Sequence, residues 1–339
     1  MPCAIYLIPN MRSIALTLKK TPLLEVRKLA VEFYPGATDR FFRAVVDASF
    51  EIAEGEILGL VGESGCGKSA TALALLDLLP ETARPAGEFL FGEQKYIFEE
   101  KKQKNLRGNQ VGLIFQEPLT ALNPLYSVGA QMYETLTYLR GIKDKDVLRS
   151  ESVELLGRVH LDNPSEKLES YPHQLSGGQR QRVMIALALA GDPRLLIADE
   201  PTTALDASLQ RGIMELFSEL AASGLGVLLI SHDLDLVAEV ADSIAVMYSG
   251  YTVETGTTKN IIKNPLHPYT RGLLESSRAV FSRQARLPVI KGEVPDPACR
   301  PPGCPFSPRC PEAFSGCSKD FPHRKIIEKR QIACWARSG

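Results

Sequence analysis

The chain has 339 residues, 44% of them apolar, and a formal charge of -1. That is enough length for one large domain with an appendage, or for two ordinary domains, and enough apolar residue for a proper core. The near-neutral balance gives no global basic field for nucleic acid and no acidic excess for disorder, and no apolar run is long enough to span a membrane.

In chain order, Met1 to Lys20 holds a weak apolar stretch with no basic region ahead of it and no small-residue cleavage site. It reads as an N-terminal extension (residues 1–22) rather than a signal, with Met11 as an alternative start. Leu24 to Phe33 and Ala44 to Ile52 read as strands, broken by Tyr34-Pro35-Gly36 and by Ala53-Glu54-Gly55-Glu56. Together they suggest an antiparallel sheet. Phe33, Tyr34, Phe41 and Phe42 concentrate aromatic residues there; Phe33 is the candidate to stack on an adenine ring, although a place in the strand core would explain it equally.

The apolar run Ile57 to Val61 leads into Gly62-Glu63-Ser64-Gly65-Cys66-Gly67-Lys68-Ser69, and a helix-forming stretch runs from Ala70 to Leu79. Strand, glycine-rich loop and helix in that order make a phosphate cradle. The glycines turn the backbone tightly so that its N–H groups point inward, and the helix N-terminus adds partial positive charge. Lys68 is placed to reach the terminal phosphates, and the Ser69 hydroxyl to coordinate a magnesium ion that also touches them.

Val111 to Phe115 reads as another strand. Gln116 follows at its end, where a glutamine reaches a metal or a water in the cleft above the sheet. Residues 118–175 read as a helical insert, clearest over Gln131 to Leu139 and Ser150 to Val159. Leu175-Ser176-Gly177-Gly178-Gln179 then opens a helix that runs to about Ala190. Physically it is a second anion site, with a serine hydroxyl and glycine N–H groups at a helix start; an ordinary N-cap followed by two glycines would look the same.

LSGGQ is the signature of ATP-binding cassette (ABC) ATPases, and here the resemblance becomes specific. Downstream, Leu195 to Ala198 is a buried strand ending in Asp199-Glu200, a pair of acids suited to holding a magnesium shell and to taking a proton from an attacking water. Ala204-Leu205-Asp206 resembles the family's D-loop. Gly226 to Ile230 is a further buried strand, and His232 after it resembles the switch histidine that contacts the γ-phosphate. Ile244 to Met247 and Tyr251 to Glu254 form a closing hairpin.

Pro265-Leu266-His267-Pro268-Tyr269 and its flanks resemble the junction found in the oligopeptide and dipeptide branch of ABC importer ATPases, and Arg283 to Gly339 resembles that branch's C-terminal extension. The tail has nine prolines, and eleven Lys or Arg against five Asp or Glu, so it builds little apolar core. Five of the chain's seven cysteines crowd into it, which in a cytosolic protein favours metal over disulfide. Cys304, Cys310, Cys317 and Cys334 are the expected ligands of a [4Fe–4S] cluster, with zinc as the alternative and Cys299 as a spare. Their wide spacing lacks the close pairs of structural zinc, and some members of the branch carry a four-cysteine cluster here.

The resemblance implies an α/β fold, an ABC-type P-loop NTPase with a RecA-like core, an antiparallel β subdomain and a helical subdomain, covering residues 23–260, plus a cysteine-rich C-terminal extension over 261–339. It implies ATP bound by residues 62–70, catalysis by Lys68, Gln116, Glu200 and His232, and magnesium held by Ser69, Gln116 and Asp199. Each ATP would also meet Leu175 to Gln179 of a second cassette, a paralogue or an identical copy, with Asp206 bridging the sites. The implied assembly adds two membrane permease subunits and, indirectly, an extracytoplasmic solute-binding protein, at the cytoplasmic face of the membrane and without nucleic acid. The implied cargo is peptides or similar small solutes, with a nickel or other metal chelate as an alternative. A soluble ABC ATPase working on DNA or ribosomes is the competing class; the chain lacks the long coiled-coil insertion or second signature of those types.

Overall fold

A computed structural model describes residues 22–34, 41–115, 121–203, 205–281 and 290–337. Its spine is one mixed sheet, antiparallel at one end and parallel at the other. One end is antiparallel: β1 (Pro22–Phe33), β2 (Phe42–Ala53), β4 (Ala83–Phe91) and β5 (Gln94–Ile97) pair side by side. The other is parallel: β3 (Ile57–Val61), β6 (Val111–Ile114), β7 (Leu195–Asp199), β8 (Gly226–Ser231) and β9 (Ser243–Tyr248) run together.

The parallel strands are apolar except at their ends because they are covered on both faces. In β3, Ile57 and Val61 belong to one core cluster and Leu58 and Leu60 to the other; Leu196 and Ala198 alternate with Leu195 and Ile197 in β7, as the two-residue period of a strand requires. The first cluster takes in the helices Gly177–Leu189 and Ala207–Ala222 and the insert helices Val128–Arg140 and Lys145–Arg158. The second lies between the antiparallel strands and the helix Lys68–Leu75. All the parallel strands deliver their C-terminal ends to one edge, where loops carry the chemistry.

The residues after β10 (Tyr251–Thr257) do not form a separate body. Two three-residue strands, β11 (Lys325–Ile327) and β12 (Arg330–Ile332), make a hairpin, and β12 pairs with β10 through Glu254 and Thr255. The Arg330 and Glu254 side chains meet at 3.6 Å, both buried, and Glu254 also accepts the N–H groups of Leu266 and His267. Phe306, 2% exposed, packs among Tyr248, Tyr269 and His267, a burial worth about 2 kcal/mol. The proline-rich tail is thus held by sheet pairing and an aromatic plug. Sequence periodicity gave no hint of either.

Candidate active site

The phosphate loop links β3 to the helix Lys68–Leu75. Gly67 sits at that helix's N-cap with φ of 106°, a left-handed conformation that favours glycine. At Gly62 a side chain is excluded outright, since a Cβ would lie 2.1 Å from the Met247 carbonyl oxygen. Lys68 is buried, and its ammonium donates to the carbonyls of Gly62 at 2.8 Å and Glu63 at 3.3 Å. It is thereby folded over the mouth of its own loop. Ser64 and Gly65 are exposed at the tip, Ala70 lies half-buried in the helix, and Cys66 is buried, its thiol pushed up by desolvation.

Asp199 ends β7 next to this loop. Burial raises the pKa of Asp199, the neighbouring Ser69 hydroxyl lowers it, and Glu200 raises it while Lys68 opposes. Its Oδ1 is buried with no hydrogen-bond partner among the described residues. A buried, unsatisfied carboxylate oxygen beside a serine hydroxyl is a donor set that fits a magnesium ion.

Glu200 follows with φ of 49°, an uncommon backbone state for a residue with a side chain, held by its N–H bond to the Ile230 carbonyl at 2.9 Å. This turn aims its carboxylate at His232, whose Nδ1 lies 2.8 and 3.0 Å from the two carboxylate oxygens. The expected acid and the expected switch histidine are therefore direct partners. When Nδ1–H donates to Glu200, Nε2 is the remaining polar atom of the ring.

Ser176 caps the helix Gly177–Leu189 in a reciprocal capping box: its hydroxyl accepts from Gln179 N–H, and the Gln179 side chain accepts from Ser176 N–H. Leu175 is buried beneath it, while Gly177 and Gly178 lie against Leu205 and Leu209. Asp206 caps the next helix through Ser208 and Leu209, and its hydrogen bond from the Ser208 hydroxyl holds its carboxyl below the usual range.

Some expectations fare differently. Gln116 lies outside the described residues, as do residues 1–21. The Phe33 ring is stacked on Phe42 with centroids 5.3 Å apart, and Phe41 and Tyr34 are the exposed rings at that end. Cys304, Cys310, Cys317 and Cys334 do line one enclosed cavity, with His267 and Glu312, of about 20 Å³. Among the described residues no three His, Cys, Asp or Glu side chains are placed to hold a metal ion. The [4Fe–4S] expectation is thus not reproduced by the geometry. Burial pushes the Cys304 thiol up to about 11 in this arrangement.

Sequence reasoning missed two residues that touch the phosphate loop from the tail side. The Tyr269 hydroxyl accepts the N–H of Glu63 at 2.9 Å, and Arg309 pairs with the Glu63 carboxylate.

Residues 45–203 match the ABC transporter family, and residues 253–317 match the C-terminal region of oligopeptide/dipeptide transporters. A Brucella abortus protein provisionally named for peptide import and ATP binding is 45% identical over 94% of this chain and 96% of its own length. The chain belongs to the ABC transporter family, in its peptide-importer branch. The dipeptide transport ATP-binding protein of Escherichia coli is 44% identical over 92% of this chain and 96% of its own. Among solved structures, a dimeric ATP-binding cassette with ADP and Pi aligns at TM-score 0.59 and 27% identity, covering 69% of this chain and 98% of that one. CbiO1 of Clostridium perfringens aligns at 0.60 and 26%, covering 72% and 92%. This ABC protein is accordingly an ATPase, with ATP as substrate and Mg2+ as its ion.

Proposed function

We propose that this subunit hydrolyses ATP to power the import of peptides, working at the cytoplasmic face of the membrane with two permease subunits and a second cassette. The observation that carries the chemistry is the convergence of Lys68, Ser69, Asp199, Glu200 and His232 at the ends of β3, β7 and β8. The cargo reading rests on relatives named for peptide and dipeptide transport.

Lys68 exchanges its loop carbonyls for the β- and γ-phosphates as ATP enters. The Ser69 hydroxyl and Asp199 would hold Mg2+, which would neutralise charge on those phosphates. Glu200 orients the attacking water and takes its proton, and His232 fixes the direction in which the Glu200 carboxylate points. Ser176, Gly177 and Gly178 present a helix start to the ATP of the partner cassette, and Gln116 couples the site to the insert. ATP binding draws the two cassettes together; loss of the γ-phosphate lets them part.

No helix among the described residues is long and apolar enough to cross a membrane. The test is a tagged pull-down from gently solubilised membranes. Two polytopic proteins and a second cassette are expected with the bait; recovery from the soluble fraction alone, or with ribosomes or DNA, overturns transport and leaves the ATPase.

The tail's thiols are the place where the branch's cluster would sit. Cys304, Cys310, Cys317 and Cys334 would hold it. Iron and sulfide in anaerobically purified protein support the cluster, stoichiometric zinc without sulfide supports the other ion, and neither supports a purely packed core.

A further inference from the structure

The phosphate loop is the most glycine-rich and least self-supporting part of the site, and fixing such a backbone in one shape carries a large entropic cost. Glu63, inside the loop, is tied down at all three of its polar groups. Its carbonyl receives Lys68, its N–H is received by Tyr269 at 2.9 Å, and its carboxylate is gripped at both oxygens by Arg309, at 2.8 and 3.2 Å. Two of those three ties come from beyond residue 260.

Arg309 is itself fully committed. Its side chain is 7% exposed, and besides Glu63 it donates to the Tyr248 hydroxyl at 3.2 Å and to the carbonyls of Ile290 at 3.2 Å and Lys291 at 3.0 Å. A planar guanidinium with all five donors engaged is a rigid clamp. Tyr269 is likewise buried, wedged between the Tyr248 and Phe306 rings.

We propose that Arg309 and Tyr269 are positioning residues for the ATP site: the C-terminal extension holds the phosphate loop in its ATP-ready shape through Glu63. The inference rests on the ATPase reading and deepens it. The clamp acts in two ways. It orders the loop before ATP arrives, and it neutralises a carboxylate that would otherwise stand unpaired beside a triphosphate site.

The second effect gives the test a sign that mere stability would not. In the full-length chain, Arg309→Gln leaves Glu63 charged and unpaired, and the Kd for ATP with Mg2+ is expected to rise about tenfold. Adding Glu63→Gln in the same chain removes the stray charge and is expected to recover part of that loss, so that the double variant binds better than Arg309→Gln alone. Arg309→Lys keeps the charge but loses the bidentate fork, and is expected to bind between wild type and Arg309→Gln. Tyr269→Phe keeps the ring and removes only the acceptor, and is expected to weaken ATP about threefold with turnover at saturating ATP unchanged.

Trp335, the chain's one tryptophan, lies in the tail, and its emission reports whether the tail stays docked. If the tail of Arg309→Gln undocks, Tyr269→Phe carries the test. Unchanged ATP affinity in both Arg309→Gln and Tyr269→Phe, or a double variant that binds worse than either parent, overturns the clamp. A wild-type chain that neither binds nor hydrolyses ATP overturns the ATPase reading instead.

Discussion

Replacing Glu200 by glutamine changes one atom type at the centre of the site. The amide keeps the shape and the αL backbone position, so the cost to folding is that of exchanging a charged for a neutral hydrogen bond with His232, about 1 kcal/mol. The electrostatic change favours nucleotide: a negative charge that raises the Asp199 pKa disappears, so Asp199 stays ionised more readily. ATP affinity should therefore be kept or improved. Turnover should fall about 10²- to 10⁴-fold, the worth of a general base, or about 3–5 kcal/mol of barrier. Equilibrium ATP binding and steady-state phosphate release, measured on the same preparation, separate the two effects. Near-normal turnover with intact binding would remove Glu200 from the role of base.

Lys68→Ala should lose ATP affinity and turnover together, because the ammonium over the loop mouth is the site's nearest cation; binding that survives unchanged in calorimetry would refute this. Arg330→Met should destabilise the protein by about 3 kcal/mol in urea unfolding, since it strands a buried Glu254 carboxylate, and a loss under about 1 kcal/mol would show the pair to be dispensable. His267 is fully buried, and desolvation, followed by repulsion from Arg337, lowers its pKa from 6.5 to about 3. Between those values the unfolded chain binds a proton that the folded chain refuses, so this residue makes stability fall as pH drops through that window, by up to about 1.4 kcal/mol per pH unit. His267→Asn keeps an acceptor for the Tyr269 N–H and should flatten that slope; an unaltered pH profile would assign the acid sensitivity elsewhere.

Much of the cassette is legible in the sequence because its signals are local. The strands β3, β7 and β8 are continuous apolar runs, a pattern forced by burial on both faces, and the phosphate loop and signature announce themselves by glycine spacing at helix starts. The strand β4 is not, since Pro85 and Gly87 disguise nine residues that lie between β1 and β5. Nor is the β11–β12 hairpin, whose strands are three residues each and take their stability from β10 and a buried ion pair. In the cysteine tail, spacing marks the thiols as ligands and the fold does bring all four to one cavity, although they are not placed to hold a metal ion among the described residues. The grip of Arg309 on Glu63 has no local signature at all. A basic residue directly before Cys310 in a proline-rich stretch looks solvated until the fold supplies its acceptors.

That grip joins residues 246 positions apart in sequence. During synthesis the loop, its helix and the signature all emerge long before Arg309 does, so a nascent cassette passes through a stage with every nucleotide motif present and the loop still slack. Over the same interval the second half of the β10 edge, later taken by β12, stands open to any passing strand. A shortened version of this protein, cut where a generic cassette would stop, would be arrested at that stage. It would carry an intact motif list and a sticky edge, and its failure would look like a defect of catalysis while originating in assembly order.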